Sequence, residues 1–392
     1  GGLKIPPPIM FYIITLLLCG ISFAPLALPK LDIWHAQGIF AQGIILAAFC
    51  CSFFEKQRYV VTKNYPLGIL FTWVGLQTLI ICYKAQLKGI YDVKHFFVFF
   101  NFFCLIILYK LIIEYLDSFK IRKILNYMRY IVIITLVTCV LQRFNLAQFF
   151  ELLIDRPETP DLYSQHNNPI VGFIGNGTHL SGFLASTIPI FLWHGKREDW
   201  LALVLMFLVL CQTGTTIGDP AISGFIVAIV VWMYFIKTDK VKLLTTTTIL
   251  LILGVVAWNY KPNFFSFQGR LPVWGHYWNV FKQMPVTGFG LGTVNMIYKY
   301  SPVPDARHVH LEYLQYAVEI GLIGLVLIGN LINSFMNIKA QDRLELCLKG
   351  CVLGFLVSCL FNYPSHLWLP STWAISFYAF YMTAKRRNLL WV

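Results

Sequence analysis

The chain is short of charge. Asp, Glu, Lys and Arg supply 12% of its 392 residues, about half the roughly 25% usual in soluble domains. Apolar types supply 57%. This balance excludes an ordinary soluble globular domain. Acid is the scarcer sign, with 18 Asp and Glu against 31 Lys and Arg and a net charge of +13. In a soluble protein that excess would point to nucleic acid. Here the basic residues cluster in short segments between apolar runs. The cytoplasmic bias of membrane loops explains them, and no nucleic-acid partner is expected. Cysteine offers no framework either. All ten lie in or beside apolar runs, none in the two longest polar loops, and no zinc-ligand spacing occurs. They read as small buried residues, so neither a disulfide scaffold nor a metal site is expected. A soluble domain, a coiled coil, low-complexity sequence and a clear internal repeat are also missing.

What the chain has is long apolar runs. Runs of about 20 residues can cross a hydrocarbon core about 30 Å thick. Twelve candidates fall at 9–28, 36–54, 66–83, 95–113, 130–149, 170–192, 200–213, 217–236, 243–259, 311–335, 345–362 and 367–384. The expectation is an all-α integral membrane protein with about twelve transmembrane helices, residues 1–392 forming one polytopic domain. The first run lacks a small-residue cleavage site and reads as a true first helix. Segments with Lys56/Arg58/Lys63, Lys120/Arg122/Lys123/Arg129, Lys196/Arg197, Lys237/Lys240/Lys242, Lys339/Arg343/Lys349 and Lys385/Arg386/Arg387 alternate onto one side. By the positive-inside rule that side is cytoplasmic, with both termini. The segment with Lys84, Lys88 and Lys94 fits this topology poorly. The other side receives residues 150–169, with Glu151, Asp155, Glu158 and Asp161, and a long polar loop at 260–310 between spans 9 and 10.

That loop is where chemistry concentrates. It holds Arg270, Trp274, Lys282, Lys299, Arg307, His308 and His310, and its only acid is Asp305. Long ordered loops are more often functional than decorative. Residues 269–281 are amphipathic and aromatic. They suit a short helix in the interface, where Arg270 either snorkels to headgroups or grips a diphosphate through its fork of donors. Gly288, Gly290 and Gly292 follow Pro285, but no Lys-Ser or Lys-Thr comes after them, so this is no nucleotide P-loop. A tight turn is expected there. His308 and His310 stand before an apolar run. Lacking a nearby Asp or Cys at suitable spacing, they do not read as metal ligands. A histidine at the water end of a membrane helix can act as a base. Glu312 and Glu319 fall inside the run that follows. A carboxylate within a span is costly enough to suggest use, although Glu319 also suits a structural role as partner to a basic group.

These residues carry a resemblance. His308-Val309-His310-Leu311-Glu312-Tyr313-Leu314-Gln315, followed by Glu319-Ile320-Gly321-Leu322-Ile323-Gly324, resembles the signature of the O-antigen ligase and polymerase superfamily. Arg270 and Trp274 are similar to that family's Arg-x-x-x-Trp motif, and Pro285, Gly288, Gly290 and Gly292 to the glycine run after it. Weaker echoes occur at 175–189 and at Phe361-Asn362-Tyr363-Pro364 with His366. The likeness spans about residues 170–380. Two departures stand out. Thr215-Thr216-Ile217-Gly218-Asp219 holds no arginine where the family has Ser-Arg, and Leu311 replaces an asparagine.

The resemblance implies a metal-independent, cofactor-free glycosyltransferase of GT-C type in a bacterial inner membrane. Its donor would be a glycan on undecaprenyl diphosphate. Its acceptor would be a lipid A-core or another glycan at the outer face. Arg270 would hold the diphosphate, His310 would act as base, and Arg307, His308, Trp274, Lys282, Glu312 and Arg156 would complete substrate binding. Arg307 or Arg156 would stand in for the missing arginine. Ligase and polymerase both remain open. A lipid-glycan transporter is the rival of another class, since twelve spans with both ends inside suit one, but transporters usually show repeats and paired broken helices. A non-catalytic homologue is the third reading.

Overall fold

The structure, a computed structural model, describes residues 9–24, 33–52, 65–87, 94–144, 172–174, 177–194, 196–213, 270–297, 301–303, 309–360, 362 and 364–389. Among these residues there are twelve α-helices and no strand. They are α1 (Ile9–Gly20), α2 (Ile33–Ser52), α3 (Tyr65–Leu87), α4 (Lys94–Tyr115), α5 (Ser118–Arg143) and α6 (Gly177–His194). Then come α7 (Arg197–Thr213), α8 (Arg270–Phe281), α9 (Val294–Ile297), α10 (Glu312–Asn337), α11 (Arg343–Ser358) and α12 (Trp368–Leu389). Ten of the expected spans overlap described helices. The expected spans at 217–236 and 243–259 lie outside the described residues.

Four of these helices, α2, α4, α5 and α10, contain windows long and apolar enough to cross a membrane. Shorter apolar stretches occupy Ile9–Phe23, Pro66–Ile80 and Asp199–Leu210. Their outward faces are apolar too. Leu16, Ile69, Leu79, Val204 and Val326 are all more than half exposed, which is costly in water and ordinary in lipid. The chain is a membrane protein.

Inside, α11 packs against α6 and α12, α12 against α4, and α3 against α10. Trp373, Phe377, Phe380 and Tyr381 of α12 form the centre with Phe191. A buried indole needs an acceptor, and Trp373 Nε1 donates to the Leu18 carbonyl at 3.0 Å. At the end of the bundle away from Glu312, Asp199 sits 3.1 Å from Arg129 and 3.1 Å from His194. That network joins α5, α6 and α7.

Three findings differ from the sequence reading. First, Lys120, Arg122, Lys123 and Arg129 were expected in a loop, but α5 already runs through all four from Ser118. Asp117 caps it by accepting from the Lys120 amide at 2.9 Å, and Ile121, Ile124, Leu125 and Met128 bury one helical face. Second, Lys349 is not a loop charge. It lies inside α11, and its Nζ donates to the carbonyls of Met336 (2.8 Å) and Ile338 (2.6 Å). A cation there satisfies acceptors that the end of α10 leaves open.

Third, α10 is not one continuous helix. Gly321 leaves the helical conformation at φ 67°, ψ −173°. The break lies about 14 Å along the axis from Glu312, at a rise of about 1.5 Å per residue. Backbone at such depth must be satisfied by protein, and the glycine-rich turn does this. Phe289 N–H donates to Val318 O (2.9 Å) and Gly290 N–H to Glu319 O (2.7 Å). In return Leu322 N–H donates to Pro285 O (2.8 Å) and Ile323 N–H to Val286 O (3.2 Å). From α3, Gln77 donates to both Thr287 O (2.5 Å) and Glu319 O (2.8 Å), and Trp73 donates to Ile320 O (3.3 Å). The turn is thus inserted into α10 as well as returning the chain. Its amides at 288–290 are committed to backbone acceptors, so they are not a phosphate cradle.

Candidate functional site

The site is built where α8 lies along the first half of α10. Spacings of three and four residues share a helix face, so Arg270, Val273, Trp274, Tyr277 and Phe281 point the same way. Val273, Tyr277 and Phe281 are buried against Val294, Val309, Ala317 and Val318. The Arg-x-x-x-Trp spacing thereby places both motif side chains over the strand of backbone that leads into α10. Trp274 Nε1 donates to the Val309 carbonyl at 2.9 Å.

Arg270 is the first residue of α8 and is only 7% exposed. Burying a guanidinium this far demands compensation by partners. His310 lies within its electrostatic reach. Burial first, and the Arg270 charge second, pull the His310 pKa down to about 4. The ring is therefore neutral at pH 7. His310 is also the one described non-glycine residue with positive φ, at 54°. Histidine tolerates that region better than most residues, but it still costs energy. The backbone on both sides is pinned. Trp274 holds Val309, and the amides of Leu314 and Gln315 donate to the Leu311 carbonyl.

One turn further in lies a buried polar cluster. Glu312, Gln315 and Glu319 share a face of α10 by their spacing, and all three are fully buried. Glu312 N–H donates to Cys359 O at 2.9 Å, tying α10 to the end of α11. After α11 a short 3-10 turn, Pro364–His366, brings in His366. Its Nδ1 stands 2.6 Å from Glu312 Oε1, and its Nε2 stands 3.8 Å from Glu319 Oε2. Ser365 donates to the same Glu312 oxygen. Burial alone would lower the His366 pKa, but Glu312 and Glu319 outweigh it and raise it to about 10. Glu319 also accepts from the Val294 amide at 3.4 Å. Burial and the Glu319 charge together push the Tyr277 phenol up.

A cavity of about 430 Å³ opens between α3, α4, α10, α11 and α12. Its walls are mainly apolar, with Val74, Phe102, Ile328 and Phe355 among them, and its polar residues include Glu312, Ser365 and His366. Neither Arg270 nor His310 lines it. Two carboxylates around one imidazole repel a diphosphate. The anion-binding candidate is therefore the Arg270–His310 corner and not this cavity.

Of the residues singled out in the sequence, the structure brings together Arg270, Trp274 and His310, and sets Glu312 in the separate cluster with His366. Trp274 meets backbone at Val309, and Glu312 meets His366 and Ser365. Lys282 is exposed at the far end of α8, about 18 Å along the axis from Arg270 at 1.5 Å per residue. Arg307, His308 and Arg156 lie outside the described residues, as does the Thr215–Asp219 segment. Sequence reasoning passed over His366 as a site residue. Its signal was indirect: two intramembrane glutamates on one helix face call for a basic partner.

Broken membrane helix, inserted glycine turn and a buried Arg270 beside a half-buried His310 together define a helical membrane protein with a polar site at one end of its bundle. A family model described as O-antigen ligase matches residues 201–329, from α7 through the break in α10, consistent with the O-antigen ligase superfamily. No curated protein matches the chain.

Proposed function

We propose that the chain is a glycosyltransferase that moves a glycan from undecaprenyl diphosphate to an acceptor hydroxyl at the outer face of the inner membrane, in the manner of O-antigen ligases. The observation that carries this reading is the buried Arg270 beside a neutral His310, within a stretch that matches the O-antigen ligase model. A fixed guanidinium suits the diphosphate leaving group through bidentate, charge-assisted hydrogen bonds. A neutral imidazole suits the acceptor proton.

In the step proposed, the acceptor oxygen attacks the anomeric carbon. The bond from that carbon to the diphosphate oxygen breaks, and the electron pair leaves with the lipid diphosphate, facing Arg270. His310 takes the hydroxyl proton. Direct attack inverts the anomeric configuration. A bound diphosphate raises the proton affinity of His310 through its negative charge, countering the effect of Arg270. The strength of the base therefore rises when the donor is in place. Arg307 or Arg156 supplies the second cation, with His308 beside the acceptor, while Lys282 at the far end of α8 meets the glycan or a lipid headgroup. Both termini are cytoplasmic in this reading, twelve helices span the bilayer in a GT-C-type arrangement, and residues 260–310 form the outer loop.

Purified protein in nanodiscs, given undecaprenyl-diphosphate-linked glycan, tests the proposal. Transfer to a lipid A-core acceptor is the result expected of a ligase, and extension of the donor's own chain is that of a polymerase. No transfer to either acceptor, with glycan instead crossing the bilayer of proteoliposomes, would replace the proposal with transport.

A further inference from the structure

We propose that His366 is a positioning residue for His310, acting through Gln315 and the Val309 amide. The inference rests on His310 being the base of the reading above, and it assigns a role to a residue outside the segment that carries that base.

The connection is continuous. Ser371 donates to the carbonyls of Ser365 (2.7 Å) and Pro364 (3.1 Å), which fixes the 3-10 turn to α12. Tyr316 stacks on the His366 ring with centroids 5.9 Å apart, and its hydroxyl meets Ser365 Oγ at 2.5 Å. Glu312 holds the ring at Nδ1. The remaining nitrogen, Nε2, stands 2.9 Å from Gln315 Nε2. Gln315 in turn accepts from the Val309 amide at 3.4 Å and reaches Glu319 Oε1 at 3.4 Å. Val309 is the residue before His310.

The chemistry of the amide makes this more than adjacency. Gln315 offers one oxygen and one NH₂ group. The contacts with His366 Nε2 and Glu319 Oε1 hold the Gln315 amide in one rotation, and in that rotation its oxygen receives the Val309 amide. Removing the His366 ring frees the amide to turn, so His366 bears on the backbone that sets His310 in its left-handed conformation. Glu312, Glu319 and Tyr316 on α10, Cys359 after α11 and Tyr277 on α8 are the titratable groups around this path.

A purely structural role for His366, fastening α12 to α10, would lower the amount of folded protein without altering turnover selectively. The test therefore compares wild type, His366→Ala and His366→Gln in nanodiscs. It reads steady-state transfer from the lipid-linked donor and hydrogen exchange of the 309–311 amides. The expected result is a tenfold or larger fall in kcat for His366→Ala with donor KM within threefold. His366→Gln, whose amide can still meet Gln315, should restore most of the rate. The 309–311 amides should exchange faster in His366→Ala than in wild type. A kcat within twofold of wild type, the absence of rescue by glutamine, or unchanged exchange would each overturn the proposal. Should His366→Ala not fold, Gln315→Leu takes its place with the same expected loss, and a kcat within twofold of wild type or unchanged exchange would overturn the proposal. If wild type itself transfers no glycan, the proposed function falls, and the exchange comparison alone decides whether His366 holds this backbone.

Discussion

At His310 the backbone and the side chain are constrained together. A positive φ is held by contacts on both flanks, and a half-buried ring is kept neutral by desolvation and by Arg270. Both constraints fit a base that must be unprotonated and fixed before its substrate arrives. His310→Ala should lower glycan transfer by about 10²–10⁴-fold, the usual range for loss of a general base, with the protein still inserted and monodisperse. Arg270→Ala should do the same, and Arg270→Lys should recover little, because a point charge does not replace a planar fork. The pH dependence follows from the lowered pKa. As pH falls, His310 takes up its proton only near pH 4, so kcat/KM should lose no activity to this group between pH 8 and about 5 and should drop below that. Stability runs in the same direction. Between the unfolded value of 6.5 and the folded value of about 4, the unfolded chain binds more protons, so stability falls as pH is lowered through that window. A pH titration of thermal unfolding, wild type against His310→Gln, reads this directly. The variant should lose part of the slope.

At the scale of elements, the broken α10 and its inserted turn act as one unit. A Cβ on Gly288 would sit 2.5 Å from both Glu319 O and Gly321 N, atoms of the backbone that cannot retreat. Gly288→Ala and Gly321→Ala also place a side chain at positive φ. Each should cost about 3 kcal/mol or more, seen as a large drop in thermal stability in detergent. Gln77→Leu strips a donor from two carbonyls and should cost about 1–3 kcal/mol. Little of this unit was legible in the sequence. Residues 317–328 keep an apolar helical pattern straight through Gly321, and the groups that satisfy the break, Trp73 and Gln77, lie more than 240 residues away along the chain. The spacing of Arg270 and Trp274 was legible, because a helix turns any such pair onto one face. The pairing of Glu312 with His366 was half legible. Charge in an apolar run asks for a partner, but the partner's position depends on a 3-10 turn that only the packing of α11 and α12 fixes.

For the whole molecule, the apolar runs account for the helices, since runs of about 20 residues have few stable alternatives in lipid. A broken membrane helix is also a feature of transporters, where freed helix ends coordinate ions or substrate. Here the freed ends at Gly321 are closed by the protein's own backbone and by two α3 side chains, which leaves no open coordination at that break. The polar chemistry sits instead at the end of the bundle, around Arg270, His310 and the Glu312–His366 cluster. In the proposed reading that arrangement serves catalysis at a membrane surface rather than passage through it. The most direct measurement is the release of undecaprenyl diphosphate from its glycan-linked form in nanodiscs, with acceptor present, for wild type and for His310→Ala. Wild type should release the carrier in step with glycan appearing on the acceptor, and the variant should release at least 10²-fold less. Equal release by both proteins would contradict the account, as would acceptor glycosylation without release of the diphosphate.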